Sequence, residues 1–145
     1  MKIIRKFILI FLIISLMSGM AYAMEEDSKS NDTVVNRYET VRDIQYKFEI
    51  NSGKASGSIQ VRTAELDEID QVVATIKFIK SDSGSTIKTW NNIILSGPDI
   101  LNVFRTNKTY VLTQRGTYYM TAKIKLYKGT SLKETIDVKS LPDTY

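Results

Sequence analysis

"GTYYMTAKIKLYKGTSLKETIDVKS", residues Gly116 to Ser140, decides how the rest of the chain is read. Tyr118, Met120, Ala122, Ile124 and Leu126 fall on one face of an extended segment. Tyr119, Thr121, Lys123, Lys125 and Tyr127 fall on the other. After a turn at Lys128 to Ser131 the alternation resumes, with Leu132, Glu134, Ile136 and Val138 set against Lys133, Thr135, Asp137 and Lys139. Successive side chains of a strand project to opposite sides, so a two-residue period marks a strand with one buried face. Two such runs around a short turn predict a hairpin.

The same period recurs upstream. In Val41 to Ile50, Ile44, Tyr46, Phe48 and Ile50 share a face, and the turn-like Asn51 to Gly57 follows. Ile59, Val61 and Thr63 share a face in the next segment, as do Val72, Ala74, Ile76 and Phe78 in Gln71 to Ile79. Ser81 to Ser85 reads as a hairpin loop leading into Thr86 to Leu95, which Ser96-Gly97-Pro98-Asp99 ends. Ile100 to Phe104 and Thr109 to Thr113 read as two short β-like pieces joined through Arg105 to Lys108. No helical period of 3.6 persists beyond the N-terminal region. The sequence therefore predicts an all-β, seven-stranded antiparallel sandwich rather than a βαβ fold.

The N-terminal region reads differently. Lys2, Arg5 and Lys6 precede an apolar run from Phe7 to Met17, and Ala21-Tyr22-Ala23 offers small residues before a polar stretch. These three features predict a secretory signal helix at 1–23, cleaved after Ala23, rather than a retained anchor. The product is expected to be secreted, with no stable membrane anchor. Residues 24–37 read as a flexible polar arm and 38–145 as the sandwich domain. The whole chain carries 20 basic and 16 acidic residues, net +4. Without the three signal cations the count is 17 against 16, net +1, which removes the main support for nucleic-acid binding. There is no cysteine, so no disulfide can staple the domain and its core alone must hold it. An exported domain without cysteine points to a bacterial source.

Gln114-Arg115-Gly116-Thr117-Tyr118-Tyr119-Met120 resembles the turn into the penultimate strand of immunoglobulin-like domains, where a Gly-x-Tyr-x-Cys arrangement stands. The resemblance implies an immunoglobulin-like or fibronectin-like sandwich. Tyr118 would be the corner tyrosine, its hydroxyl satisfying a backbone group at the bend, and Met120 would stand inward where the cysteine does. The cysteine pair is missing, and Trp90 falls in the fourth strand rather than the third. The whole pattern of signal, polar arm, tryptophan strand and closing hairpin also resembles small secreted proteins of Gram-positive bacteria, a resemblance that implies no activity.

Candidate sites are few. With no His and no Cys, His- or Cys-based triads, histidine general acid–base work and most zinc sites are excluded. Paired carboxylates or a Ser–Lys dyad would need a cleft that one small sandwich leaves little chain to build. No catalytic activity and no cofactor are expected. The acidic run at Glu65, Asp67, Glu68 and Asp70 is a metal candidate, since loops at sandwich ends can gather oxygens around Ca²⁺. Its spacing does not match an EF-hand, and it reads first as a solvated loop with Leu66 and Ile69 dipping towards the core. Trp90, Tyr119, Lys123, Lys125 and Tyr127 are the ligand-binding candidates, because aromatic faces beside cations stack on sugars or pack on proteins. Ordinary β propensity accounts for the same residues, and the two lysines would also discourage edge pairing if this hairpin lay at a sheet edge. Leu141-Pro142-Asp143-Thr144 lacks the remainder of a sortase signal. The expected function is contact with a protein or cell-wall glycan. A carbohydrate- or calcium-dependent binding module is the alternative.

Overall fold

The structure, a computed structural model, describes residues 40–65, 68–99 and 101–145. The expected signal segment 1–23 and polar arm 24–37, together with Leu66, Asp67 and Ile100, lie outside the described residues.

Eight strands follow one another: β1 (Val41–Asn51), β2 (Lys54–Thr63), β3 (Gln71–Lys80), β4 (Thr86–Ile94), β5 (Val103–Val111), β6 (Thr117–Lys128), β7 (Ser131–Lys139) and β8 (Asp143–Thr144). Among the described residues there is no helix. The first sheet has the order β1-β2-β5 and the second β4-β3-β6-β7, with β8 also paired to β6. Every pairing is antiparallel. The expected all-β architecture of two antiparallel sheets is what these residues form.

The alternation seen in the sequence is the alternation of burial. Tyr46 and Phe48 from β1, Ile59 and Val61 from β2, and Phe104 from β5 point inward from the first sheet. Val72, Ile76 and Phe78 from β3, Met120, Ile124 and Leu126 from β6, and Ile136 from β7 join the same core from the second. Phe78 lies edge-on to Phe48, with ring centroids 5.0 Å apart, and edge-on to Trp90 at 4.9 Å. Gly57 of β2 is buried beside them. A Cβ there would come within 2.6 Å of the Met120 sulfur and 2.7 Å of Phe78 Cε1. Ser56-Gly57, which reads as part of a turn, is strand, paired with Glu49 and Phe48 of β1, and the crowding is why the residue there is glycine.

Three further expectations are corrected. The turn at 51–57 is only two residues wide, because Ser52 (φ 50°) and Gly53 (φ 77°) both adopt positive φ, the geometry of a tight hairpin turn. Arg105 to Lys108 does not separate two pieces. It lies inside β5, with Arg105 opposite Gln60 and Lys108 opposite Gly57. Arg105 and Asn107 stand on the exposed outer face, while Thr106 and Lys108, opposite Ile59 and Gly57, are half-buried on the inner side at the sheet edge. Nor does any alternation announce β8, which is too short to show one. There Thr144 pairs with Thr117, and Tyr145 and Gly116 exchange backbone hydrogen bonds at 2.9 and 3.3 Å. Asp143 Oδ2 accepts from the Ile50 N–H at 2.7 Å, and the Tyr145 ring lies against Gly53.

Tyr118 is 2% exposed, and its hydroxyl donates to the Gln114 carbonyl at 2.8 Å. This bond satisfies a backbone oxygen where the chain bends from β5 into β6. Tyr118→Phe keeps the ring but orphans that carbonyl. It should lower stability by about 1–2 kcal/mol, read as a lower urea midpoint at unchanged slope. Gly57→Ala should cost about 1–3 kcal/mol in the same measurement, because Phe78 is held between two rings and cannot retreat. An unchanged midpoint in either variant would contradict the contact assigned to it.

Candidate functional site

The polar face of β6 is the outer face of the second sheet, and strand pairing determines what stands beside it. Thr121 is flanked by Lys77 of β3 and Lys139 of β7, Lys123 by Thr75 and Asp137, and Lys125 by Val73 and Thr135. Neighbouring strands lie about 4.8 Å apart and alternate residues along a strand about 6.8 Å apart. Lys77, Lys123, Lys125 and Lys139 therefore occupy one small area. They line a shallow groove of about 590 Å³ together with Thr75, Thr121 and Asn91.

One carboxylate answers these four cations: Asp137 Oδ2 lies 3.5 Å from Lys123 Nζ. The Lys139 ammonium sits 4.4 Å from the centroid of the Tyr119 ring, a cation–π contact. Lys77 and Lys125 make no ion pair among the described residues. The outer face of the first sheet is built differently. There Lys47 pairs with Glu49 at 2.6 Å, Arg62 with Asp43 at 3.6 Å, and Arg105 with Asp99 at 2.5 Å. The Arg105 guanidinium, and after it the Leu101 N–H, hold the Asp99 carboxyl below the usual carboxylate range. A groove of about 670 Å³ runs over that face towards Ile93 and Ile94.

Of the ligand-binding candidates, the structure sets Lys123 and Lys125 in the groove of the second sheet, with Tyr119 and Tyr127 on the same face of β6 but outside its lining. It separates Trp90 from them. Trp90 pairs with Ile76, whose side chain points into the core, and the indole packs edge-on against Phe78 with Lys88 Nζ 5.8 Å from its centroid. Trp90 thus stands on the inner side of β4. Lys123 and Lys125 are not on an edge strand either, since β6 is flanked by β3 and β7. Discouraging edge pairing is not their role. Lys77 and Lys139 are the residues that sequence reasoning missed. Each stands on the polar face of its own strand, but only the β3-β6-β7 order sets them beside β6.

Of the metal candidates, Glu65 and Asp70 are exposed, Glu68 is half-buried and Asp67 lies outside the described residues. The Asp70 carboxylate accepts from the Gly129 N–H through both oxygens, at 2.8 and 3.1 Å, tying the β2–β3 loop to the β6–β7 turn. Ile69 is buried, as its place in the acidic run suggested. Among the described residues no three acidic side chains cluster as a metal site would require.

No family model matches the chain, and no curated protein matches it. Among solved structures, it is similar to a portion of the crystal structure of Ruminococcus gnavus β-glucuronidase. The TM-score is 0.34 at 14% identity, covering 68% of this chain and 15% of the enzyme's length.

The Asp70–Gly129 contact is structural and accessible to substitution. Asp70→Ala should lower stability by about 1–2 kcal/mol, since a charge-assisted, bifurcated hydrogen bond is lost. It should also speed amide exchange at Gly129 in proton NMR. Unaltered exchange at Gly129 would show that the carboxylate does not hold the turn.

Proposed function

We propose that this chain is a secreted, non-catalytic β-sandwich of the immunoglobulin-like and fibronectin-like kind that acts through surface contacts with a protein or cell-envelope partner. The outer face of the second sheet is the contact surface. The observation that carries this reading is the groove in which Lys77, Lys123, Lys125 and Lys139 meet one carboxylate. On the other sheet Lys47, Arg62 and Arg105 each pair with a carboxylate, which Lys77 and Lys125 do not among the described residues. The fold reading draws support from the Tyr118–Gln114 hydrogen bond, which has the form of a tyrosine corner. The fourth strand joins the β3 side rather than the edge of the first sheet. This departs from the constant-type immunoglobulin arrangement and favours the fibronectin-like branch of the resemblance. The absence of His and Cys agrees with a role without catalysis. Export and a bacterial source rest on the N-terminal sequence pattern.

A second reading is a carbohydrate-binding module, favoured by Tyr119 and Tyr127 standing on the same face as the lysines. Tyrosine rings stack on the apolar faces of sugars. In that case binding would follow the tyrosines and be indifferent to salt.

Purified protein should co-sediment with isolated Gram-positive cell walls. The Lys77→Glu/Lys125→Glu variant should lose most of that retention, while Lys47→Ala on the opposite sheet keeps it. Retention that survives protease treatment of the walls identifies a polymer partner, and retention abolished by protease identifies a protein. No retention by the unmodified protein, or equal retention by the double variant, overturns the reading.

A further inference from the structure

We infer that the groove on the second sheet binds a linear polyanion built from polyols or sugars joined by phosphodiesters. The inference rests on the contact surface proposed above and goes further by naming the chemistry of its occupant.

The charge comes first. The domain as a whole is close to neutral once the N-terminal cations are set aside, yet this one face gathers four lysines against Asp137. Ammonium groups held close together repel one another, and an anion laid among them removes that repulsion. The arrangement is also linear. Lys77 and Lys139 flank Thr121 across about 9.6 Å, and Lys123 and Lys125 continue along β6 in steps of about 6.8 Å. A chain lying along β6 would pass between the first two ammonium groups and then over the second two. Charge is thus offered at intervals along a track, which suits a repeating polymer better than a single small anion.

The residue types narrow the anion. Every cation lining the groove is a lysine, with no arginine among them. A guanidinium fork gives two parallel bonds to a carboxylate or phosphate held in one orientation, whereas an ammonium on a flexible stem acts as a point charge that takes the phosphates of a flexible chain at variable spacing and orientation. Between the cations stand Thr75, Thr121 and Asn91, which can exchange hydrogen bonds with hydroxyl groups of a polyol or sugar. A nucleic-acid strand would need bases stacked on successive aromatic rings. The two outward tyrosines of β6, Tyr119 and Tyr127, lie eight residues apart, about 27 Å along the strand, and the Lys139 ammonium already covers the face of Tyr119. The groove therefore recognises the backbone anions of a polyol phosphate chain and not a row of bases.

The test is calorimetric titration of the purified protein at low salt with poly(glycerol phosphate), polygalacturonate and oligothymidylate. Poly(glycerol phosphate) should bind tightest. Its log affinity should fall with log salt at a slope of roughly −3, for about four neutralised phosphates. Lys77→Ala/Lys125→Ala should flatten that slope by about 1.4 without shifting the unfolding midpoint, and Lys47→Ala should leave the slope unchanged. Absence of binding to poly(glycerol phosphate), or polygalacturonate or oligothymidylate binding as tightly, overturns the inference. Cell-wall retention that depends on Lys77 and Lys125 but is not matched by poly(glycerol phosphate) binding would overturn only this assignment and leave the contact surface standing. Loss of both would remove both.

Discussion

Phe78 stands where the two sheets must be joined without a covalent link. Its ring is edge-on to Phe48 of the first sheet and to Trp90 of its own, and Gly57 opposite it has no side chain to push the sheets apart. With no cysteine in the chain, apolar contact of this kind is what holds the layers together. The constraint reaches far beyond the ring itself. It fixes the register in which β2 faces β3, and it turns the only tryptophan inward. The lysines on the outer side of the second sheet take no part in this core.

Much of this was written in the two-residue alternation. The β6–β7 hairpin, the inward set of β3 and the bend at Tyr118 are local features, so they follow from spacing and from one Gly-x-Tyr. The departures have equally local causes. Ser56-Gly57 reads as turn because glycine is most often used for its backbone freedom. Here it is used for its lack of volume beneath Phe78. Arg105 to Lys108 reads as a break because four consecutive polar residues hide the alternation of a strand with one wet face. The candidate site is harder still, since its identity depends on which strands are neighbours. Lys77 and Lys139 are 62 positions apart in the chain yet flank the same threonine. Trp90 shows the converse: an aromatic residue in a polar strand is placed by what its partner Ile76 faces, which the strand itself does not state.

The two outer faces differ in how their charges are arranged. On the first sheet cations and carboxylates are interleaved closely enough to answer one another, as Lys47 does Glu49 and Arg105 does Asp99. Such exposed pairs add little stability, but they leave a face with little field of its own. On the second sheet Asp137 is the carboxylate that stands among four lysines. The core asks the same of both sheets, so the difference lies in residues that folding leaves free to vary. That contrast, more than any single side chain, is what the proposed contact surface rests on.

The last residues also bear on how the two sheets are joined. β8 and Tyr145 clasp the start of β6, Asp143 reaches the backbone of β1, and the Tyr145 ring covers the β1–β2 turn. Asp143–Tyr145 thus tie both sheets at once, the second through backbone pairing with the start of β6 and the first through the Asp143 carboxylate on β1.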